Sequence, residues 1–443
     1  MAADVARLLA ANALELAVGL GVVLALRLPR PLAYVVGLAV VGVLDANLAL
    51  VHALLGLPEL AVLAAVSLLV GLRLKRGREP EAEPRTLVTT LLGCATPALL
   101  ALSAFVFATR PLSEWDGWAI WGLRAHALFL EHGTGAVFAS SAYAQPSYPL
   151  LLPSLEATGY RAMGTADATV VHLQLALLAV AFAEGLAGLL RRRVPPALIA
   201  LTGLAILATP EVLGQLRTNY ADIPLAFFVA LGLLALARWL DDGGRALLAL
   251  TALFFAAAAL TKNEGTVFAG AALAVAFLVV IVHDRRRALA LVPVAIAVVA
   301  TVLPWRVYTK VHHLAIGSVR PADALRPGVL AAHAGRGATA AQSLLAQLPT
   351  ARWGLLAPLF AVALVTGFLY GRRRLAIFAA AWFACSFAGL VVDYWVSPLP
   401  LHWYLSTSAD RVVASLVVGC AALAPLLVAD SWRGVRLLSP SAA

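Results

Sequence analysis

Charged residues are scarce in this chain, and that scarcity excludes a soluble globular protein. Only 13% of the 443 residues are Asp, Glu, Lys or Arg, whereas 62% are hydrophobic and the mean hydropathy is +0.90. Soluble domains carry about 25% charged residues. Long apolar runs separated by short charged breaks indicate instead a polytopic helical membrane protein, because a helix satisfies its own backbone hydrogen bonds within lipid.

Cysteine is also rare, and its placement gives no metal-ligand spacing. Cys94, Cys385 and Cys420 each lie within an apolar run, where small side chains are expected to pack in the core. The chain contains no HExxH, Walker A, CxxC or GxSxG pattern, so metallopeptidase, ATPase and serine-hydrolase chemistry lack support. The sequence indicates no metal ligands and no firm cofactor, and it leaves a divalent cation open.

Apolar runs long enough to cross a bilayer recur along the whole chain. A transmembrane helix needs roughly 20 apolar residues. The sequence therefore predicts an all-α transmembrane bundle of about 13 spans, forming a single domain over residues 1–443. The predicted spans are residues 7–26, 31–54, 58–74, 87–109, 166–190, 196–215, 221–240, 246–261, 265–283, 288–305, 353–371, 375–396 and 409–430.

Basic clusters between these spans set the predicted orientation. With the spans above, the clusters all fall on one face, and an excess of Lys and Arg marks the cytoplasmic face. We therefore expect a multi-pass protein of the plasma (inner) membrane with its N-terminus outside. The net charge of +10 then reflects topology rather than nucleic-acid binding. The clusters are Arg73 to Arg85, Arg191 to Arg193, Arg285 to Arg287, Arg372 to Arg374, and Arg433 with Arg436.

Two segments on the opposite, outer face are much longer than ordinary connections. The first, residues 110–165, contains an acidic and aromatic motif and then a short interfacial or re-entrant helix. The second, residues 306–352, is a candidate cover for the site. Together with polar breaks between later spans, they predict a functional site at the outer interface.

The stretch 114–124 concentrates two carboxylates, three indoles and a guanidinium just after an apolar run. An amphipathic helix with indoles at headgroup depth explains the tryptophans but not the acids. We expect at least one of the two acids, Glu114 and Asp116, to act as a general base. The predicted substrate contacts of this stretch are Trp115, Trp118 and Arg124.

Charged residues between later spans are further candidates. Lys262 and Glu264 fall between two apolar runs with no room for a loop, where charge is expensive and is either paired or functional. One interpretation is an ion pair of Lys262 with Glu264 or Asp222 that holds the bundle. The other is a lysine that binds a phosphate. Asp222, two residues before Pro224, equally suits a helix cap.

Two arginines at outer span ends are candidates for phosphate binding, because a guanidinium can bind two oxygens at once. Arg306 follows Trp305, and Arg411 opens the last predicted span; either could instead snorkel to the interface. The remaining predicted substrate contacts are Tyr148, Tyr220, Asp222, Asn263, Glu264, His402 and Tyr404.

The order of these motifs resembles the GT-C superfamily of membrane glycosyltransferases, especially its protein O-mannosyltransferase-like and aminoarabinose-transferase-like branch. The resemblance covers the chain from about residue 90 onward, although three spans precede the one leading into the acidic loop, where typical members have one. The motifs that carry it are Glu114-Trp115-Asp116, Tyr220 to Pro224, Thr261 to Gly265 and Ser408 to Arg411.

The resemblance implies GT-C-like outer loops and a catalytic base in the first of them, at Asp116 with Glu114 as its rival. It implies a polyprenyl-phosphate sugar as donor, with Lys262 and Arg411 at the positions that bind its phosphate. It leaves open whether the acceptor is a lipid, a glycan or a protein, and it implies no nucleic acid.

Two other functions stay open. A lipid or glycan transporter or flippase requires broken helices and polar groups near the bilayer midplane. An O-antigen-ligase-like transferase takes a diphosphate-linked donor and also uses outer-face arginines. Because the polar groups gather at one face, the sequence favours an inverting glycosyltransferase at the outer interface.

Overall fold

The computed structural model describes residues 2–75, 114–135, 138, 144–314, 326–371 and 373–438, with side chains as far as residue 429. These residues form helices, and no β-strand occurs among them. In chain order the helices are α1 Ala2–Leu26, α2 Ala33–Leu48, α3 Leu57–Leu74, α4 Leu123–Glu131, α5 Leu151–Met163, α6 Ala168–Val171, α7 Leu173–Leu190, α8 Pro196–Leu207, α9 Pro210–Thr218, α10 Asp222–Asp242, α11 Arg245–Thr261, α12 Asn263–Ile281, α13 Arg285–Leu289, α14 Val292–Val311, α15 Pro327–Ala332, α16 Arg336–Gln347, α17 Leu356–Tyr370, α18 Arg373–Val396, α19 Leu401–Val412 and α20 Ala414–Leu438.

Nine helical segments of the described residues are long and apolar enough to cross a membrane. Each corresponds to one of the predicted spans, so the chain is a multi-pass helical membrane protein. The nine are Ala2–Leu26, Arg30–Val51, Leu57–Leu74, Ala168–Leu190, Asp222–Asp242, Asn263–Ile281, Arg285–Val311, Arg373–Val396 and Leu401–Ala429.

The other four predicted spans differ from simple crossings. Residues 196–215 form the pair α8 and α9, which meet at 57° because Pro210 starts a new helix capped by Thr209. Helices α11 and α17 have only 17 and 15 residues, shorter than the nine. Residues 87–109 lie outside the described part of the chain. The structure thus supports nine or ten spans by length and composition among the described residues, fewer than the predicted 13.

Two boundaries in the structure differ from those predicted from the sequence. Helix α14 continues to Val311 with Pro304 inside it, so the second outer segment begins after the predicted residue 306. Asp410 and Arg411 do not open the last span, which runs from Leu401 to Ala429, but lie within it near the end of α19, and Val413 separates α19 from α20. Arg411 is therefore placed on an amphipathic helix whose exposed face includes His402.

Helix α10 is the centre of the bundle. Every residue from Asp222 to Leu240 is buried, and the ring of Phe227 stacks on that of Phe182 with centroids 4.1 Å apart. A helix that is apolar on all sides belongs in such a core. Because α10 begins at Asp222, this carboxylate stands at the end of the most buried helix.

The predicted interfacial or re-entrant helix is α5, which is buried along its whole length except for Arg161. Its 13 residues are too few to cross a bilayer. It ends at Gly164, whose φ of +79° favours glycine. The segment that precedes α5 carries Tyr148 to the site described below.

Impermeant labelling tests the predicted orientation. With the three native cysteines replaced by alanine, Glu114→Cys and Arg336→Cys should react with a membrane-impermeant maleimide added to intact cells, because both segments are predicted to be outside. Arg285→Cys should react only after permeabilisation. Protection of position 114 or 336 in intact cells contradicts the orientation and, with it, an outer-face site.

Candidate active site

Five sequence-predicted residues from four distant segments form one chain of ion pairs. Arg411 Nη1 lies 2.6 Å from Asp116 Oδ2 and 3.9 Å from Asp222 Oδ2. Lys262 Nζ lies 2.7 Å from Asp222 Oδ1 and 3.1 Å from Glu264 Oε1. The fold therefore brings together the acid of the first outer segment, the start of α10, the α11–α12 break and α19. We call these five residues the charged cluster.

Aromatic rings line both cations of the charged cluster. The Arg411 guanidinium lies 4.4 Å from the ring centroid of Tyr220, and Lys262 Nζ lies 5.6 Å from that of Tyr148. Cations bind to aromatic faces in this way. Burial raises the pKa of Tyr220 to about 12, with Arg411 opposing the shift, and burial also raises the pKa of Tyr148. Both phenols thus stay protonated near neutral pH and can donate hydrogen bonds.

A π-helical turn, Gly117–Gly122, places Asp116 against the end of α9. A Cβ at Gly117 would overlap the carbonyl oxygen of Thr218, so only glycine permits this close approach. Trp121 on the same turn is buried and stacks on Tyr148 at 5.4 Å, whereas Trp115 and Trp118 are exposed. The turn is anchored on one side and presents indoles on the other, and π-helical turns are frequent at functional sites.

Lys262 occupies a one-residue break between α11 and α12. Its backbone is extended, with φ −146° and ψ 160°, so the chain leaves one helix and enters the next without a loop. Burial alone would lower the pKa of Lys262, but the carboxylates of Asp222 and Glu264 outweigh burial and raise it well above its ordinary value. The lysine is therefore charged, and both of the ion pairs considered from the sequence are present.

Asp393 on α18 is a site residue that the sequence analysis missed. Its Oδ2 accepts a 2.6 Å hydrogen bond from the Tyr404 hydroxyl, and the carboxylate interacts electrostatically with Lys262 and Glu264. The Tyr404 ring lies 4.4 Å from the ring of Tyr394. A single Asp inside an otherwise apolar predicted span was the available signal, since such acids are seldom without a role.

Carboxylates outnumber cations around the charged cluster. Counted with Asp393, the carboxylates are four against the two cations. Buried Glu264 Oε2 and Asn263 Oδ1 have no hydrogen-bond partner among the described residues. Buried acceptors without donors are costly unless a ligand supplies them. The arrangement suits a ligand rich in hydroxyl groups; within the described residues, no group of three or more His, Cys, Asp or Glu is arranged to hold a metal ion.

Three predicted residues stand apart from the charged cluster. Glu114 and His402 are exposed, and Arg306 is partly buried in the C-terminal part of α14. No ion pair in the described part of the chain joins any of them to the cluster. Geometry thus separates Asp116 from Glu114, the two residues that the sequence left as rivals.

Glu156 of α5 is a second acid that the sequence analysis missed. It is 1% exposed, and its carboxyl oxygens have no well-formed hydrogen bond in the described structure. Its polar neighbour is Asn219, which follows the Thr218 carbonyl and has a φ of +58°. Burial raises the pKa of Glu156 to about 8, with Asn219 opposing the shift. Glu156 therefore lies near the end of α9, against which the turn after Asp116 packs. Its carboxyl group is mainly protonated at neutral pH.

The raised pKa of Glu156 predicts a pH-dependent stability. The folded protein holds this proton up to about pH 8, whereas the unfolded chain releases it near its ordinary value of 4.5. The contribution of Glu156 to stability should therefore fall as pH rises through this window. Glu156→Gln keeps the shape and removes the titration, so thermal unfolding midpoints of variant and wild type should diverge from pH 5 to pH 8, the variant becoming the more stable. Glu114→Gln, at an exposed acid, is the control; parallel midpoints for Glu156→Gln and wild type contradict the prediction.

Comparison with known proteins gives no match: no protein-family model matches this chain, and neither curated proteins nor solved structures yield a match.

Proposed function

We propose that this chain is an inverting membrane glycosyltransferase that transfers a sugar from a polyprenyl-phosphate donor to an acceptor hydroxyl at the outer face of the plasma membrane. The observation that carries the proposal is the position of Asp116, held 2.6 Å from Arg411 in the same charged cluster as Glu264. Glu264 Oε2 and the neighbouring Asn263 Oδ1 have no hydrogen-bond partner among the described residues. Such a site can orient a polyhydroxylated ligand next to a carboxylate base.

Asp116 is the proposed base. It takes the proton of the acceptor hydroxyl while that oxygen attacks the anomeric carbon, and the bond from the anomeric carbon to the phosphate oxygen breaks. Polyprenyl phosphate leaves with the bonding electron pair. A single displacement inverts the anomeric centre, and the surrounding carboxylates stabilise the positive charge that develops on the sugar.

Lys262 and Arg411 are the predicted phosphate ligands, yet each is already paired with carboxylates. We propose that their role is to hold the side chains of Asp222 and Asp116 in place. Glu264, Asn263 and Asp393 would accept hydrogen bonds from sugar hydroxyls. Tyr148, Tyr220 and Trp118 offer aromatic faces for the sugar ring.

Turnover tests the proposal directly. Purified protein in lipid is incubated with a panel of labelled polyprenyl-phosphate sugars and a crude envelope-lipid acceptor, and release of polyprenyl phosphate is followed. We expect release with at least one donor and only when acceptor is present. Release from diphosphate-linked donors alone would replace the proposal with an O-antigen-ligase-like transferase, and no release with any donor would overturn it.

Transport is a second candidate, favoured by polar groups buried within the spans. Tyr34 donates to Asn12 Oδ1 at 2.7 Å, and Asn12 Nδ2 donates to Gln174 Oε1 at 2.9 Å, close to buried Glu15. With the bent pair α8 and α9, these are features expected of a transporter. Flux of labelled lipid-linked sugar across proteoliposomes, lost in Glu15→Gln, would support transport; equal flux with and without protein would dismiss it.

A further inference from the structure

Arg124 is a buried cation to which no carboxylate of the described structure is paired. It is 1% exposed. Its Nη2 donates to the Pro146 carbonyl at 3.3 Å, and its Nη1 has no partner among the described residues. The guanidinium lies over the rings of Phe138 and Trp305, 5.4 and 5.7 Å from their centroids. These contacts satisfy part of its hydrogen-bonding capacity and none of its charge.

Such an arrangement is costly for the protein alone. A buried charge without a counter-ion loses its hydration and gains no Coulombic attraction in return. Burial lowers the pKa of Arg124 to about 9, so the guanidinium is still charged at neutral pH. Cation–π contacts offset only part of the lost hydration. An anionic ligand would supply both the missing charge and the missing acceptor.

The charged cluster is the less favourable place for an anion. Around Lys262 and Arg411 the carboxylates are in excess, so a phosphate there meets repulsion. Tyr148 connects Arg124 to the cluster: its ring stacks on Trp121, one helical turn before Arg124, and lies 5.6 Å from Lys262 Nζ, and Arg124 interacts electrostatically with Tyr148. A ligand that spans Tyr148 would place its hydroxyl groups at the acceptors and its anion at Arg124.

We propose that Arg124 binds the phosphate of the ligand and is its main counter-ion. The inference rests on the proposed function for the identity of that ligand, which is a phosphodiester in the sugar donor and the monoester polyprenyl phosphate after transfer. A guanidinium suits this role because its planar fork binds two phosphate oxygens. In this arrangement the acceptors around Glu264 bind the sugar, Arg124 binds the phosphate, and Tyr148 lies between the two groups.

Ligand-induced stabilisation tests this assignment. Thermal unfolding of the purified full-length protein is measured with polyprenyl phosphate, with polyprenol of the same chain length and with inorganic phosphate. The variants are Arg124→Met, Arg124→Lys and, as a matched control, Arg217→Met at an exposed arginine. Polyprenyl phosphate should raise the wild-type midpoint and polyprenol should not. Arg124→Met should bind about 10- to 100-fold more weakly, as expected for a lost hydrogen bond to a charged group.

The thermal unfolding midpoints measured without ligand distinguish a role of Arg124 in ligand binding from a role in stability. Because Arg124 has no counter-ion among the described residues, Arg124→Met should unfold at the wild-type temperature or above it, and Arg124→Lys should keep the charge and bind at an intermediate strength. A large drop in the Arg124→Met midpoint without ligand, or unchanged phosphate binding in both variants, would overturn the inference. Arg217→Met should match the wild type throughout.

The results with inorganic phosphate and with polyprenyl phosphate also distinguish a failure of the Arg124 phosphate site from a failure of the proposed function. Stabilisation by inorganic phosphate but not by polyprenyl phosphate, lost in Arg124→Met, supports Arg124 as a phosphate site and removes the lipid donor. Binding of polyprenyl phosphate through Arg124 without any sugar turnover overturns the transferase alone. Stabilisation of the wild type by neither probe overturns the phosphate site itself.

Discussion

Asp116→Asn should lower sugar transfer by about 10²–10⁴-fold, the usual contribution of a general base. The amide can still accept a hydrogen bond from Arg411, so the turn and the cluster should persist while the proton acceptor is lost. The measurement is the initial rate of polyprenyl-phosphate release at saturating donor, with the thermal unfolding midpoint as evidence of folding.

Glu114→Gln is the matched control for this result. Glu114 lies two residues away, is exposed, and has no ion pair with the cluster in the described structure. Its rate should stay within about threefold of wild type, since a solvated acid outside the cluster has no proton to take from a bound acceptor. A large loss in Glu114→Gln with a small loss in Asp116→Asn would assign the base to Glu114. Equal activity in both variants would leave no base in this segment.

Lys262→Met should lower the free energy of unfolding by about 3–5 kcal/mol, the cost of removing one partner from a buried ion pair. Its side chain is 7% exposed and that of Asp222 is 5% exposed, so the orphaned carboxylate would stay buried. Arg411, at 3.9 Å, is too far from Asp222 to replace the 2.7 Å contact without moving. Unfolding in mixed micelles at increasing SDS fraction measures the loss.

Two variants give this prediction its controls. Asp222→Asn combined with Lys262→Met removes both charges and should recover most of the lost stability, because no uncompensated ion remains. Arg352→Met breaks a pair in which the arginine side chain is 56% exposed and should cost less than about 1 kcal/mol. If Lys262→Met costs no more than Arg352→Met, the Lys262 pair does not hold the bundle.

The spans and part of the charged cluster could be predicted from the sequence for physical reasons. A run of apolar residues must be helical in lipid, and so nine predicted spans have counterparts among the described helices. Lys262 and Glu264 had no loop in which to be solvated, so an ion pair of Lys262 with Asp222 or Glu264 was one of the two interpretations that the sequence offered. Proline at 210 signals a helix start, but the 57° bend depends on packing that no local pattern contains.

The pairing of distant residues could not be predicted. Nothing in the sequence states that Arg411 would meet Asp116 rather than a headgroup, or that Tyr404 would bind Asp393. Arg124 was expected to contact substrate, but only the structure shows that no carboxylate of the described part of the chain pairs with it. The burial of Glu156 could not be predicted for the same reason. In the local sequence, a buried acid in a short helix cannot be distinguished from a solvated one.

The charged cluster has a consequence for how the protein is made. Arg411 follows Asp116 by 295 residues. At a synthesis rate of about 5–20 residues per second, Asp116 waits about 15–60 s for its partner to leave the ribosome. Asp222 finds Lys262 after only 40 residues. The nascent chain can therefore form the Asp222–Lys262 pair early, and it gains the Asp116–Arg411 pair only when the last helices have been inserted. A partly synthesised protein thus has its central ion pair before it has a complete site.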